Sequence, residues 1–409
     1  MNKKKTAYYG LPTEVKFCKK CVISNQRPNS TIEFKNTRDE IKQVINFSDE
    51  GVCSACLYNS EKESNINWTE REERLLALLD RFRSNSGSYD VIVPGSGGKD
   101  SAFTAHILKY KYGMNPLTVT WAPHLYTDIG WKNMQSWSHD GGIDNILYTP
   151  NGKLHREMTR NAFHNLLHPF QPFITGQRII GPAMAKRFGV NLVMYGENQA
   201  EYGNAIEENE NALMKSEFFS IDDPLIMKFG DVSMSDYIKT GKYNFNDFAP
   251  YIPPKREELL ELGTEVHYLG YYLKWDPQEC YYYASENTGF KANPDRTEGT
   301  YSKYSSIDDK IDPFHYFTTL IKFGIGRCTY DASQEVRNNK ITREEAIYLV
   351  EKYDSEFPEK FFKDFLSYID TTEDEFWKIV DKFRSPHIWK KKNNEWKLRH
   401  TVGFNGCDD

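Results

Sequence analysis

Long apolar runs are missing from this 409-residue chain, and no stretch is long enough to span a bilayer. The first residues, Met1-Asn-Lys-Lys-Lys, are basic, but no apolar signal region follows them, so the expected compartment is the cytoplasm. Neither charge sign dominates. Lys and Arg number 52 against 58 Asp and Glu, a net charge of −6, which argues against a nucleic-acid surface over the whole molecule but leaves room for a local basic patch. Cysteine is scarce, with 7 in the chain, so a disulfide framework is not expected. Internal repeats and low-complexity tracts are absent too. What remains, with 39% hydrophobic and 14% aromatic residues, is a globular chain long enough for two domains and small extensions.

The few cysteines are unevenly placed. Cys18-x-x-Cys21 and Cys53-x-x-Cys56 form two matched pairs, whereas Cys280, Cys328 and Cys407 stand alone. A C-x-x-C turn sets two thiolates on one side, and two such turns complete a tetrahedron. The pairs therefore predict one structural zinc with no open coordination position. Disulfides and a redox C-x-x-C are the other readings of the same spacing.

One stretch organises the rest: Val91-Ile-Val-Pro-Gly95-Ser-Gly-Gly-Lys-Asp-Ser101. Residues 89–93 read as a buried strand stopped by Pro94. Four small residues follow, and an apolar helical pattern begins near Ala102. A strand, a glycine turn and a helix N-terminus in that order make an anion site. It is not the mononucleotide P-loop, because Asp100 follows Lys99 and Val93 stands where the first glycine belongs. It is not the dinucleotide fingerprint either, since Asp100 occupies the third glycine position.

Strands and helices alternate downstream. Strands are expected at 116–121, 146–148 and 191–195, and helices at 128–137, from Pro150 onward, and at 179–188. A capping box, Thr69-Glu-Arg-Glu72, opens an earlier packing helix. This alternation predicts an α/β fold with a doubly wound parallel sheet, binding its ligand beyond the carboxyl ends of the strands. At those ends lie the glycine loop, Trp121-Ala-Pro-His124, and Gly196-Glu-Asn-Gln-Ala-Glu-Tyr-Gly203. Glu197 and Glu201 are candidates for magnesium or for orienting an amide, while the acids at 207–210 read as a solvated turn. Further on, 268–275 reads as a strand. Helices are expected at 315–322, from the capping box Thr342-Arg-Glu-Glu345 to 353, and near 359–369 and 372–383. The expected division is 1–66 for the zinc ribbon, 67–250 for the nucleotide domain, and 251–409 for a mainly helical substrate or partner region.

Ser96-Gly97-Gly98-Lys99-Asp100-Ser101 resembles the pyrophosphate loop (PP-loop) of ATP pyrophosphatases. With the cysteine pairs, Trp131–Trp137, Gly196-Glu-Asn198, Ile321-Lys-Phe-Gly-Ile-Gly-Arg327, Asp331-Ala-Ser-Gln-Glu-Val-Arg337 and Thr342-Arg-Glu-Glu-Ala346, it makes nearly the whole chain similar to the N-acetyl sugar amidotransferase family. That resemblance implies the PP-loop fold and a role in bacterial surface-sugar synthesis, with pseudaminic-acid modification among the examples. It implies conversion of a sugar N-acetyl group to an acetamidino group through an O-adenylyl intermediate and ammonia, using ATP and Mg2+. Gly95, Ser96, Gly97, Gly98, Lys99, Asp100, Ser101 and Trp121 would bind the nucleotide. Lys99, Asp100, Glu197, Asn198, Lys322 and Arg327 would serve the chemistry, although Lys322 and Arg327 read equally well as surface charges of a helix end. The chain departs from the family at Ser138-His-Asp-Gly-Gly-Ile-Asp144, within a connection. No glutaminase nucleophile is evident: position 2 is Asn, and Cys280, Cys328 and Cys407 lack the flanking glycines. The resemblance therefore implies a separate glutaminase partner, with free ammonium as the other source. The rival readings are a tRNA thiolase, which also joins a PP-loop to paired cysteines, and a zinc-ribbon interaction protein without activity.

Overall fold

The computed structural model describes residues 6–202 and 211–403, apart from the side chains of Gln199 and Tyr202. Gly203, the acids at 207–210 and Cys407 fall outside those residues.

The chain builds a parallel sheet from β1 (Val91–Pro94), β2 (Pro116–Trp121), β3 (Asp144–Tyr148), β4 (Leu192–Tyr195) and a fifth strand, Glu265–Tyr268. The spatial order is β3-β2-β1-β4-fifth, with every neighbouring pair parallel. The inner strands β1, β2 and β4 hold at this length because both their faces are buried, whereas β3 at the edge is only half-buried. Ile92 points into one apolar cluster with Leu117, Val119 and Val193, and Val91 and Val93 point into the other with Leu192 and Met194. Helices α5 (Gly152–Leu166) and α6 (Gln171–Phe188) cover the first face. Helices α2 (Trp68–Phe82), α3 (Lys99–Tyr110) and α4 (Asp128–His139) cover the second, together with the helix Pro277–Asn287. The fold is the expected doubly wound α/β sheet. The winding runs outward from β1 through β2 to β3, then returns to place β4 on the other side of β1. The crevice between the ends of β1 and β4 is the topological switch point, where such sheets bind ligands.

Residues 17–53 form the ribbon, tied by the bridges Phe17↔Ser24 and Phe47↔Cys53, and α1 (Ser54–Ser64) follows directly. The C-terminal region is mainly helical. Its helices Asp312–Phe323, Phe362–Tyr368 and Glu373–Lys382 meet through stacked and edge-on rings of Phe314, Phe317, Phe365 and Phe376. The largest apolar cluster draws on all three expected ranges, from Cys18 through Ile92 to Phe365. No helix among the described residues is long and apolar enough to cross a membrane.

Several local expectations are corrected. β1 starts at Val91, not 89, and takes in Pro94 as its last residue: Pro94 pairs in register with Val119, and Gly95 N–H still donates to the Val119 carbonyl at 3.0 Å. The strand expected at 268–275 stops at Tyr268, where its pairing with Tyr195 ends. The chain then turns into the short helix Leu269–Tyr272, and Tyr271 packs 3.6 Å beneath the Arg71 guanidinium of α2. The cap of α2 is Asn67, whose side chain accepts from Glu70 N–H, two positions before the expected Thr69. Helix α6 starts at Gln171 with Pro172 in its first turn, well before the expected 179, since proline is tolerated there.

Candidate active site

The glycine loop leaves β1 and enters α3 at the switch point. Two of its glycines are required by the protein itself. A Cβ on Gly95 would lie 2.1 Å from Ser101 Cβ. Gly97 has φ +80°, and a Cβ there would lie 2.9 Å from Met134 Cα. Gly98 differs: it caps α3 with ordinary extended geometry, and its nearest neighbour would be Ser96 Oγ at 3.5 Å. The space it leaves opens onto a cavity of about 620 Å³. The first turn of α3 presents its N-terminal amides there, the arrangement that attracts anions.

Lys99 and Asp100 form an ion pair of 2.5 Å at that helix start. Burial pulls the Lys99 ammonium toward neutrality, but the Asp100 carboxylate, with Glu197 beyond it, outweighs this and holds the group above the ordinary lysine range. Asp100 Oδ1 is buried without a hydrogen-bond partner. A buried carboxylate oxygen left open beside an anion site fits a divalent cation, and Glu197, after β4, lines the same cavity.

The structure thus brings Gly95, Ser96, Gly98, Lys99, Asp100 and Ser101 together with Trp121, Glu197 and Arg327 around one cavity. Trp121 is only 2% exposed. It stacks on Tyr148 at 5.9 Å, and Gly176 makes room for it, since a Cβ there would lie 2.2 Å from the indole. Arg327 opens the helix Arg327–Arg337, lies 3.0 Å from Asp331, and covers the Tyr316 ring at 4.3 Å. Burial would lower its basicity, but Asp331, Tyr316 and Asp312 more than restore it. His124 is buried behind Trp121, held by Asp309 through its Nδ1 at 2.7 Å.

Three candidates lie elsewhere. Lys322 turns away from the cavity and donates to the Leu166 carbonyl at 2.9 Å; burial lowers its pKa to about 7. Asn198 is buried behind Glu197, and its Oδ1 accepts from Ala200 N–H at 3.3 Å. Glu201 is engaged by Lys62, at 2.9 and 3.2 Å to its two oxygens, so its carboxylate is committed within the protein.

Four cations of the cavity wall escaped the sequence reading: Arg27 from the ribbon, Arg178 from α6, and Arg337 and Lys340 from the C-terminal region. Arg178 had a signal, since Gln177-Arg178 interrupts an otherwise apolar buried helix. Glu335 also lines the wall. Tyr304 OH donates to it at 3.4 Å, and burial raises its pKa, helped by the nearby charge of Asp331. Cys280 lies among the charges of Lys99, Asp100 and Glu197, but burial keeps its thiol protonated far above the usual range.

The ribbon cysteines converge. The sulfurs of Cys18, Cys21, Cys53 and Cys56 lie within 4.8 Å of one another, and all four are buried. Bonds of ~2.3 Å to a tetrahedral zinc would set sulfurs ~3.8 Å apart. The Cys18–Cys56 and Cys21–Cys53 separations are 3.9 and 3.7 Å. These are far beyond a disulfide bond. Backbone N–H groups of Lys20 and Cys53 point at Cys18 Sγ, each at 3.3 Å, as a metal-bound thiolate requires. The donor set fits zinc.

Residues 298–402 match the family model of the C-terminal domain of WbpG-like LPS biosynthesis proteins. An uncharacterized protein of Methanocaldococcus jannaschii, MJ1599, is 32% identical over 78 residues, a match spanning 19% of this chain and only 27% of that protein's length. Among solved structures, NMN synthetase from Francisella tularensis aligns over 71% of this chain and 94% of its own, at 13% identity and a TM-score of 0.32. NH3-dependent NAD synthetase from Campylobacter jejuni aligns over 48% and 92%, at 15% identity and a TM-score of 0.28. Scores this low bear on neither fold nor chemistry, which rest on the geometry above.

Proposed function

We propose that the chain is an AMP-forming C–N ligase that converts the N-acetyl group of a sugar to an acetamidino group, in the synthesis of a surface polysaccharide or glycan such as one containing pseudaminic acid. The observation carrying this reading is the shared cavity. One side is the pyrophosphate-type loop 96–101, and the other is built by the region similar to WbpG-like LPS biosynthesis proteins, including Arg327, Asp331 and Lys340.

An amide oxygen is a poor leaving group. In the proposed reaction it attacks the α-phosphorus of ATP, the Pα–O bond to the β-phosphate breaks, and pyrophosphate departs. Ammonia then adds to the imidate carbon, a proton leaves the nitrogen, and the C–O bond to AMP breaks to give the amidine. The loop amides and Lys99 offset the charge of the departing pyrophosphate. Asp100 and Glu197 are the residues to hold Mg2+, which would neutralise the phosphates. Arg327 stands to meet the developing charge on the α-phosphate, and Trp121 forms part of the wall for the base. Lys322 and Asn198 act at a distance, by supporting the helix and turn they bond to. Ammonia would come from a glutaminase partner or from free ammonium.

Phosphorus NMR and mass spectrometry of a reaction containing ATP, ammonium and N-acetylated sugars test the reading. AMP, pyrophosphate and an acceptor lighter by about one mass unit (oxygen replaced by NH) are expected. ADP coupled to sugar modification would overturn it. The gathering of both cysteine pairs into one four-sulfur site speaks against the thiolase reading, and thiolation of tRNA by the purified chain would restore it.

A further inference from the structure

The four-cysteine ribbon is not a remote appendage. Helix α1 carries Cys56 near its start and Lys62 two turns later on the same rigid rod. Lys62 is fully buried, and its ammonium donates to both carboxylate oxygens of Glu201, to the Trp275 carbonyl at 2.5 Å and to Asn338 Oδ1 at 3.3 Å. Glu201 belongs to the turn after β4 that also carries Glu197. Its backbone carbonyl accepts from Arg337 Nη2 at 2.9 Å, and the Arg337 carbonyl accepts from Asn59 of α1 at 2.7 Å. Trp275, Arg337 and Asn338 are all cavity wall. Two buried cations from opposite ends of the chain therefore converge on one residue.

We propose that Glu201 is a positioning residue coupling the four-cysteine centre to the cavity. Its carboxylate fixes the Glu197 turn to α1, and its carbonyl fixes the Arg337 wall to the same turn. A rod anchored at Cys56 by metal holds Lys62 in place. Loosening the anchor should release the turn and the wall together while the loop at Gly95–Ser101, held by β1 and α3, stays put. Arg343 adds a second tie, donating to the carbonyls of Cys21 and Cys18 at 3.1 and 3.2 Å.

Hydrogen exchange on the full chain, with metal analysis alongside, tests this. Glu201→Gln should keep its zinc, yet exchange in peptides covering 192–202 and 327–340 should speed up ~10-fold or more while 91–94 stays protected. Chelating the zinc from the wild type should deprotect the same two peptides. Uniform acceleration in Glu201→Gln, or chelation that leaves both peptides protected, overturns the proposal. If that variant does not fold, the double change Lys62→Met, Glu201→Leu removes both buried charges. In it, chelation should no longer affect 192–202, and a continued effect would show that the coupling bypasses Glu201. One arm rests on the ligase reading: in Glu201→Gln the acceptor KM should rise by ~5-fold or more with kcat changed less. A wild type without turnover would sink that reading and leave the exchange result standing.

Discussion

The ammonium of Lys322 donates to the carbonyl of Leu166, the last residue of α5, and so turns its back on the cavity that Arg327 faces. Burial lowers its pKa from 10.5 to about 7, so between those values the unfolded chain holds more protons than the native one. Stability then rises with pH across that window, because the cost of burying the charge is fully present below 7 and gone above 10.5. The difference amounts to at most ~5 kcal/mol. Urea midpoints at pH 7 and pH 9.5 should show this slope in the wild type and its loss in Lys322→Met. Nucleotide affinity should be unchanged in that variant; a loss of ten-fold or so would return Lys322 to the site.

The loop glycines should separate into two kinds. Gly97→Ala puts a side chain at φ +80° against the Met134 backbone, and should cost ~1–3 kcal/mol of stability. Gly98→Ala meets only Ser96 Oγ and should cost under ~1 kcal/mol. Nucleotide affinity should nevertheless fall ~10-fold or more in Gly98→Ala, because the methyl fills space kept for phosphate. Calorimetric titration with ATP on a variant of normal melting temperature decides it, and unchanged affinity would show the opening is not a phosphate seat.

Asp100→Asn and Ser96→Ala should each remove ~2 kcal/mol or more of transition-state stabilisation. Folding and zinc content should stay as in the wild type. For Asp100→Asn, the magnesium concentration giving half-maximal rate should rise, since the amide keeps its oxygen toward the Lys99 ammonium and sets a nitrogen, which cannot ligate, where the open Oδ1 lies. A parallel loss of rate without any shift in magnesium dependence would assign Asp100 to holding Lys99 instead.

Metal analysis of the purified chain should return one zinc per molecule, and Cys53→Ser should lose it. An iron–sulfur absorption spectrum, or a metal-free folded protein, would contradict the tetrahedral spacing of the sulfurs.

The loop and the cysteine quartet were legible in the sequence because both are local demands. Gly97 needs its positive φ wherever the chain goes, and a C-x-x-C turn sets its own sulfur spacing. The sheet was legible because Val91–Val93 and Leu192–Met194 are apolar without alternation, as strands buried on both faces must be. The strand expected over 268–275 failed for a physical reason: Tyr271 and Tyr272 have the aromatic character of strand residues, but no further β4 residue is there to pair with them, and α2 offers a packing surface. The cap at Asn67 was hidden because Asn67-x-x-Glu70 and Thr69-x-x-Glu72 both satisfy the same pattern. Arg27 and Arg337 could not be placed on the cavity from sequence, since each reaches it from a separate part of the chain through tertiary packing alone.

The carbonyls of Cys18 and Cys21 accept hydrogen bonds from Arg343, across sequence separations of 325 and 322, and Tyr8 N–H donates to Ser385 Oγ across 377. A ribosome adds ~5–20 residues per second, so the ribbon waits roughly 16–75 s for these partners to be made. Until Glu201 is made, 139 residues after it, the charge of Lys62 lacks the carboxylate that it pairs with in the finished molecule. The four sulfurs lie within one short stretch and can gather a metal without the rest of the molecule. Zinc acquired early would hold the ribbon in shape until the last helices emerge to close over it, which makes metal supply during synthesis a determinant of how much chain reaches its folded form.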